Sequence, residues 1–494
     1  MKNYDIVIIG SGLGGLLCGY ILSKEGFNVC ILEKHTQPGG NLQNFSRQGL
    51  PFDTGVHYVG GLSPGQPLYA YWNYIGLAGM LSVQRLDMDG FDRITVRGEE
   101  FVLAQGFDHF MSQLLTRFPK EEKALLEYTD QLKKIASSYP LYNLQLPDKN
   151  INEPHRSSGA FHYFSALTQN KQLQATLAGN NFLYAGNPDK TPLHMVALIN
   201  HSFISSAWRL REGSKQIADI LVGKIKSLGG TVLTSNQVRI VHADKENFTI
   251  RTTSDDYYQA KKVISNIHPL QTIRILDPSL VKTAGRFRLE NLKNTTSSFI
   301  LNLVMKPGTF PYMNYNVHFF NTENVWTSTT SKGTRWPQNY LLYTPLHDPA
   351  DPWAKTVIIL TYMDFDEVRR WEDTVIGKRG DEYRAFKHDR SERLLNLVEE
   401  KFPGIKRQIA YSEASTPLTY RDYTGTIEGS LYGIQKDYND PLETMILPRN
   451  RIPNLFFTGQ NVSLHGMLGV TIGAILTCGE ILGLEYLLNK IRRT

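Results

Sequence analysis

The chain has 494 residues, 41% of them hydrophobic and 20% charged. That balance belongs to a folded protein too long for one core, and it excludes a disordered or low-complexity chain. The formal net charge of +6 is modest and spread along the chain, which argues against a nucleic-acid partner.

The opening reads Tyr4-Asp5-Ile6-Val7-Ile8-Ile9, a β-branched run suited to a strand buried on both faces. Gly10-Ser11-Gly12-Leu13-Gly14-Gly15 follows, then apolar residues at helical spacing from Leu13 to Lys24, closed by Gly26. A second strand, Asn28 to Leu32, ends on Glu33. This is the βαβ dinucleotide fingerprint with its acidic end-point in place. Gly10 permits the tight turn, Gly12 lets backbone approach a pyrophosphate, and Gly15 lets helix and strand pack closely. The helix N-terminus offers unpaired N–H groups to the phosphates. An acid at Glu33 accepts hydrogen bonds from ribose hydroxyls and repels a 2′-phosphate, so FAD or NAD fits better than NADP.

Two further glycine clusters follow. Lys34-His35-Thr36-Gln37-Pro38-Gly39-Gly40-Asn41 leads to Phe52-Asp53-Thr54-Gly55-Val56-His57-Tyr58-Val59-Gly60-Gly61. Such clusters after a Rossmann opening favour a long, extended cofactor, FAD over NAD. From about Pro67 to Ser206 the texture becomes that of an inserted helical region, with helices expected over 120–137, 159–180 and 192–206. Its aromatic residues Phe161, Tyr163, Phe164, Phe182, Tyr184, Phe203 and Trp208 read mainly as core. A helix from Lys215 to Leu228, a short strand at 231–234 and three alternating strands over 236–243, 247–253 and 257–264 return the chain to the cofactor domain. Residues 270–415 form a second excursion with strands at 297–305, 339–343 and 357–363 and a helix at 391–402. They are expected to make a sheet with one covered face. Asn454 to Thr458 is a last strand, Gly459-Gln460-Asn461 follows it, and a glycine-rich helix begins near Gly466.

These elements imply an α/β protein. A Rossmann-type FAD-binding domain is expected from 1–66, 207–269 and 416–494, and an α+β substrate domain made of two insertions from 67–206 and 270–415. Cys18, Cys30 and Cys478 are far apart in apolar elements and read as reduced core residues. With no signal-peptide pattern ahead of the first strand, a cytoplasmic location is expected. The Gly466–Leu488 stretch holds Glu480 and Glu485 and suits a buried helix better than a membrane span. No metal-ligand spacing, catalytic serine order or phosphate P-loop is evident.

The runs Leu32 to Gly40 and Phe52 to Gly60, Thr416-Pro417-Leu418-Thr419 with Gly429 to Gly433, Phe457-Thr458-Gly459-Gln460, and His465-Gly466-Met467-Leu468-Gly469-Val470 carry a resemblance. The chain resembles the phytoene desaturase, carotenoid isomerase and retinol saturase branch of FAD-dependent oxidoreductases, with the retinol saturase version nearest. The resemblance implies FAD, with the adenosine near Gly10, Gly12, Gly14, Gly15, Glu33 and Lys34, and adenine contact from the Val238 backbone. It places the flavin near Gly39, Gly40, Asn41 and His57 and near Gly459, Gln460, Met467, Leu468, Gly469 and Val470. Asn41 and Gln460 depart from the Arg and Asp that many desaturases carry, which leaves a phytoene-type substrate and the redox direction open. The implied chemistry is saturation or desaturation of a carbon–carbon double bond in a long apolar polyene. The alternatives are a non-redox polyene isomerase, or a flavin- and lipid-binding protein without turnover. Within the flavin-adjacent motifs, His57, Tyr58 and His465 are the residues able to move a proton. A polyene resides in membrane, so peripheral contact through the inserted helical region is expected.

Overall fold

A computed structural model describes residues 2–147, 154–211, 213–244, 246–330 and 333–494. The opening motif forms as its pattern dictates. Strand Lys2–Ile9 pairs in parallel with Val29–Leu32 on one side and Tyr257–Ser265 on the other. Ile6, Val7, Ile8 and Ile9 are each no more than 4% exposed, so each side chain contributes roughly 1.5–3 kcal/mol of burial. Helix Leu13–Lys24 is buried from Leu13 through Ser23. Apolar on all sides, it sits between helices Lys215–Ser227 and Gly466–Leu482.

Six of the sheet's seven strands run in the order Thr231–Leu233, Val29–Leu32, Lys2–Ile9, Tyr257–Ser265, Phe248–Thr252, Val238–Ala243, and Leu455–Phe457 is the seventh. The nine-residue strand Tyr257–Ser265 changes partner along its length. Its first part takes the antiparallel meander, and Val263–Ser265 takes Leu455–Phe457 in parallel. The C-terminal strand therefore enters beside the first strand's neighbour and delivers the Thr458–Asn461 turn to the carboxyl ends of the parallel strands. Ligands of open α/β sheets bind at that edge.

A second seven-stranded sheet has the order Ile409–Ser415, Ser297–Met305, Thr356–Met363, Asn339–Tyr343, Asn316–Phe320, Asp92–Val96, Glu99–Leu103. Two expectations are corrected here. The 67–206 region is not purely helical: Val83–Arg85, Asp92–Val96 and Glu99–Leu103 are strands, and the last two extend this sheet. Nor is only one face covered. Ile300, Tyr343 and Leu360 pack under the inserted helices, while Phe299, Leu301 and Ile359 pack under helix Gly380–Lys401. A sheet buried on both faces reads as continuous apolar strands, which is what Ser297–Met305 and Thr356–Met363 carry. That helix begins eleven residues before the expected Ser391, because its first turns are charged and lack apolar periodicity. The three cysteines are buried and unpaired by disulfides. Among the described residues, no helix is long and apolar enough to cross a membrane.

Candidate functional site

The carboxyl ends of the parallel strands open into a trough of about 530 Å³ that runs from Leu32–His35 to Gly466–Val470. Gly10, with φ +91°, makes the turn out of the first strand. A Cβ on Gly12 would lie 2.8 Å from Asn266 Nδ2, and one on Gly14 would lie 2.8 Å from Gly459 Cα. These positions keep the floor bare. Gly15 lies beneath it, where a Cβ would meet the Gly10 carbonyl at 2.2 Å; it packs helix on strand and does not line the trough.

Glu33 is 5% exposed. Its carboxylate accepts Ser11 N–H at 2.9 Å, Ser11 Oγ–H at 2.6 Å and His35 N–H at 2.9 Å. A carboxylate has about four lone-pair sites, so acceptor capacity remains for a ribose hydroxyl. Val238, with Asn236 and Gln237, lines the same end. Lys34 bonds the Asp422 carbonyl at 3.1 Å, and His35 bonds the Tyr423 carbonyl and stacks on the Tyr423 ring. The 421–426 segment thus forms the outer wall, a part the sequence did not announce. Helix Leu13–Lys24 has no side-chain cap, so its first-turn N–H groups stay available to phosphate oxygens. Helix Gly466–Leu482 also begins without one, and its Gly466, Met467 and Val470 line the trough's other end. Asn41 stands at that end with its Oδ1 buried and without a partner. Two uncapped helix ends, a bare glycine floor and an orphaned acceptor fit an extended dinucleotide with polar ring edges.

A second cavity of about 180 Å³ adjoins this end, sharing Asn41, Gly55, Val56 and Met467 with the trough. Phe182, Leu198, Phe203, Leu341, Leu360 and Leu464 make most of its wall apolar. Phe182 and Phe203 therefore line it, with Tyr142 beside them, while Phe161, Tyr163, Phe164, Tyr184 and Trp208 do not, as expected for core. His57, His465, Leu468 and Gly469 line this cavity and not the trough. The Tyr343 hydroxyl bonds His57 Nδ1 at 2.6 Å. Burial, aided by the Arg209 guanidinium, lowers the His57 imidazole to about 4. His465 bonds the Leu183 carbonyl through Nε2 at 3.0 Å, stacks on Tyr432 and is lowered to about 4 by burial. Both rings are neutral at pH 7.

Behind the wall lies a buried polar network that the sequence did not reveal. The Tyr58 hydroxyl donates to Asp92 at 2.9 Å, Asn316 Nδ2 donates to Asp92 at 2.9 Å, and Arg209 donates to Asn316 Oδ1 at 2.7 Å. Arg209 also donates to the Met313 and Thr344 carbonyls, each at 2.9 Å. Arg209, Asp92, Asn316 and His318 are at most 2% exposed. Asp92, Asn316 and His318 lie in strands of the second sheet, Arg209 in the short strand Ala207–Leu210 and Tyr58 just before strand Val59–Gly60, so they meet only in three dimensions.

The family model for flavin-containing amine oxidoreductases matches residues 13–482. The chain is 27% identical to the all-trans-retinol 13,14-reductase of Danio rerio over 526 aligned residues, covering 97% of this chain and 86% of that protein. It is 23% identical to the chloroplastic prolycopene isomerase of Arabidopsis thaliana, covering 98% of this chain and 84% of that one. The crystal structure of an oxidoreductase from Methanosarcina mazei superposes with a TM-score of 0.65 at 19% identity, over 96% of this chain and 99% of that one. A dinucleotide trough with an adenosine-side acid, in a chain matched to flavoproteins over most of its length, calls for flavin adenine dinucleotide. The chain belongs to the flavin-containing amine oxidoreductase family and is an FAD-dependent oxidoreductase.

Proposed function

We propose that this protein saturates or desaturates a carbon–carbon double bond in an elongated apolar polyene of the retinoid or carotenoid class. The observation that carries the reading is the apolar cavity adjoining the far end of the dinucleotide trough. The names of its relatives, a retinol reductase and a prolycopene isomerase, supply the chemical class. We assign the adenosine half of FAD to Gly10–Lys34 and Val238, and the flavin half to Gly39–Asn41, His57 and Gly459–Val470. The first sheet and its flanking elements (1–66, 207–269, 416–494) hold the cofactor, and the two excursions hold the substrate.

Bound FAD supplies hydride exchange beside the cavity. The remaining work belongs to the chain. Phe182, Leu198, Phe203 and Leu464 seat the polyene and exclude water. His57 handles the proton. The Tyr343 hydroxyl and His57 Nδ1 share a hydrogen bond; with the hydroxyl as its donor, neutral His57 carries its own hydrogen on Nε2. In saturation, Nε2–H protonates the substrate carbon while the Tyr343 hydroxyl restores Nδ1. The Arg209 guanidinium, 5.9 Å from the Tyr343 ring centre, offsets the charge left on the phenolate. Desaturation reverses these transfers. His465, committed to the Leu183 carbonyl, orients the wall through Tyr432.

The deciding experiment reduces the FAD-loaded protein anaerobically and adds retinol or a carotenoid. A product two hydrogens heavier supports the proposal. Failure of every polyene to re-oxidise the reduced flavin, together with failure of their saturated counterparts to reduce the oxidised flavin, overturns it and leaves a binding protein. Unchanged mass with altered double-bond geometry assigns the isomerase chemistry that the similarity to prolycopene isomerase favours. We also propose peripheral membrane contact through the 67–206 region, on a cytoplasmic face. Exposed Met80, Met88, Leu126 and Leu146 support it. Sedimentation with anionic liposomes at low salt tests it, and a protein left wholly in the supernatant refutes it.

A further inference from the structure

A third chamber, about 480 Å³, lies between the Asn44–Asp53 hairpin, strands Ser297–Met305 and Ile409–Ser415, and helix Gly380–Lys401. It shares Gly40 with the trough and Tyr420 with the apolar cavity, so it abuts both. Tyr420 is the partition, its hydroxyl donating to the Thr54 carbonyl at 2.8 Å.

Two features of the wall point to a ligand. Asn302 interrupts the apolar strand Ser297–Met305 on the face it shares with Ile300, and it is 2% exposed. Its Nδ2 faces the Glu413 carbonyl at 3.5 Å, while its Oδ1 is buried without a partner although the residue lines the chamber. A buried acceptor left empty is unfavourable unless something in the chamber donates to it. Beside it, the single Glu413 carboxylate is shared by Lys387 at 3.0 Å and Arg47 at 3.4 Å, with the Tyr411 hydroxyl at 3.1 Å. Two cations on one carboxylate leave a positive charge unmatched.

An acceptor next to a surplus cation selects a group that both donates and accepts. A hydroxyl donates to Asn302 Oδ1 and accepts from the Lys387 ammonium. A carbonyl or carboxylate satisfies the cation alone, and a hydrocarbon end satisfies neither. We infer that this chamber takes the hydroxyl end of an elongated amphiphile whose apolar chain reaches the cavity beside Tyr420. The inference rests on the polyene reading above and adds to it the residues that choose the substrate's terminus. Ile376, which lines the chamber and is 48% exposed, suits the passage of such a molecule.

The test uses FAD-loaded protein and two probes: all-trans-retinol, and the hydrocarbon with methyl in place of its CH₂OH group. Their Kd values are read from polyene absorbance and fluorescence, which need no turnover. The wild type is expected to prefer the alcohol about tenfold. Asn302→Leu and Lys387→Met are each expected to bring the alcohol's Kd to that of the hydrocarbon. Should Asn302→Leu fail to fold, Lys387→Met, on a partly exposed helix face, still decides. A wild type without preference, or a preference intact in both variants, overturns the inference. A preference present and erased in protein that turns over neither probe overturns the proposed reaction and leaves the chamber standing. Turnover of both probes without preference does the reverse.

Discussion

Lowering the pH from 7 to 5 should destabilise this protein through the two histidines of the substrate cavity. His57 and His465 each titrate near 4 in the folded chain because burial disfavours the imidazolium, against about 6.5 in the unfolded chain. The unfolded state therefore binds more protons between these values, and stability falls as pH falls through that window. For one such histidine the loss between pH 7 and pH 5 is about 1.8 kcal/mol, and for the pair about 3.6 kcal/mol as a ceiling. Asp53 works in the opposite sense. Burial raises it to about 6, so acidification relieves about 1.3 kcal/mol over the same range. The net for the three groups is a loss of about 2 kcal/mol, a large share of a typical margin of about 5–15 kcal/mol. Urea unfolding of the FAD-loaded protein at pH 7.0, 6.0 and 5.0 measures it, with the His57→Gln and His465→Gln double variant beside the wild type. The double variant should lose the acid sensitivity assigned to the pair. If its stability falls with pH as steeply as that of the wild type, the neutral assignment is wrong, and the proton chemistry built on His57 falls with it.

Four further outcomes are expected. Gly12→Val should yield colourless protein, since even a Cβ there lies 2.8 Å from Asn266 Nδ2 at the trough floor; flavin retained at one per chain would refute the phosphate-site assignment. Gly15→Ala should destabilise the fold by several kcal/mol, because its Cβ would sit 2.2 Å from the Gly10 carbonyl, and thermal unfolding reads this directly. Tyr343→Phe removes the hydroxyl on His57 Nδ1 and should lower the rate of polyene reduction by about 10²-fold with the polyene's Kd little changed; a rate within threefold of wild type refutes the relay. Arg209→Met strips donors from two carbonyls and from Asn316 and should cost roughly 3–5 kcal/mol, seen as a lowered urea midpoint.

The cofactor half of the molecule was largely legible before the fold was known. A parallel strand buried on both faces must be apolar throughout, and a turn that admits a pyrophosphate must be glycine, so Tyr4 to Glu33 spells its own geometry. Ser297–Met305 and Asn339–Tyr343 form over the residues expected from their composition alone. The strands at 92–103 escaped notice because they are short, charged at their ends and set among helices. The early start of the Gly380–Lys401 helix escaped because exposed turns carry no apolar period.

By itself, the sequence determined the dinucleotide fold, the use of FAD and the glycine motifs that line the trough. Those depend on local rules of backbone freedom and strand burial, written within a few dozen contiguous residues. Only the tertiary structure decided that His57 meets Tyr343, that Arg209 reaches Asp92 through Asn316, and that the Asn302 Oδ1 stands without a partner near Lys387 and Glu413. Those partners lie tens to hundreds of positions apart in the chain. Their chemistry exists only where two sheets and an inserted helical layer enclose the same dry volume.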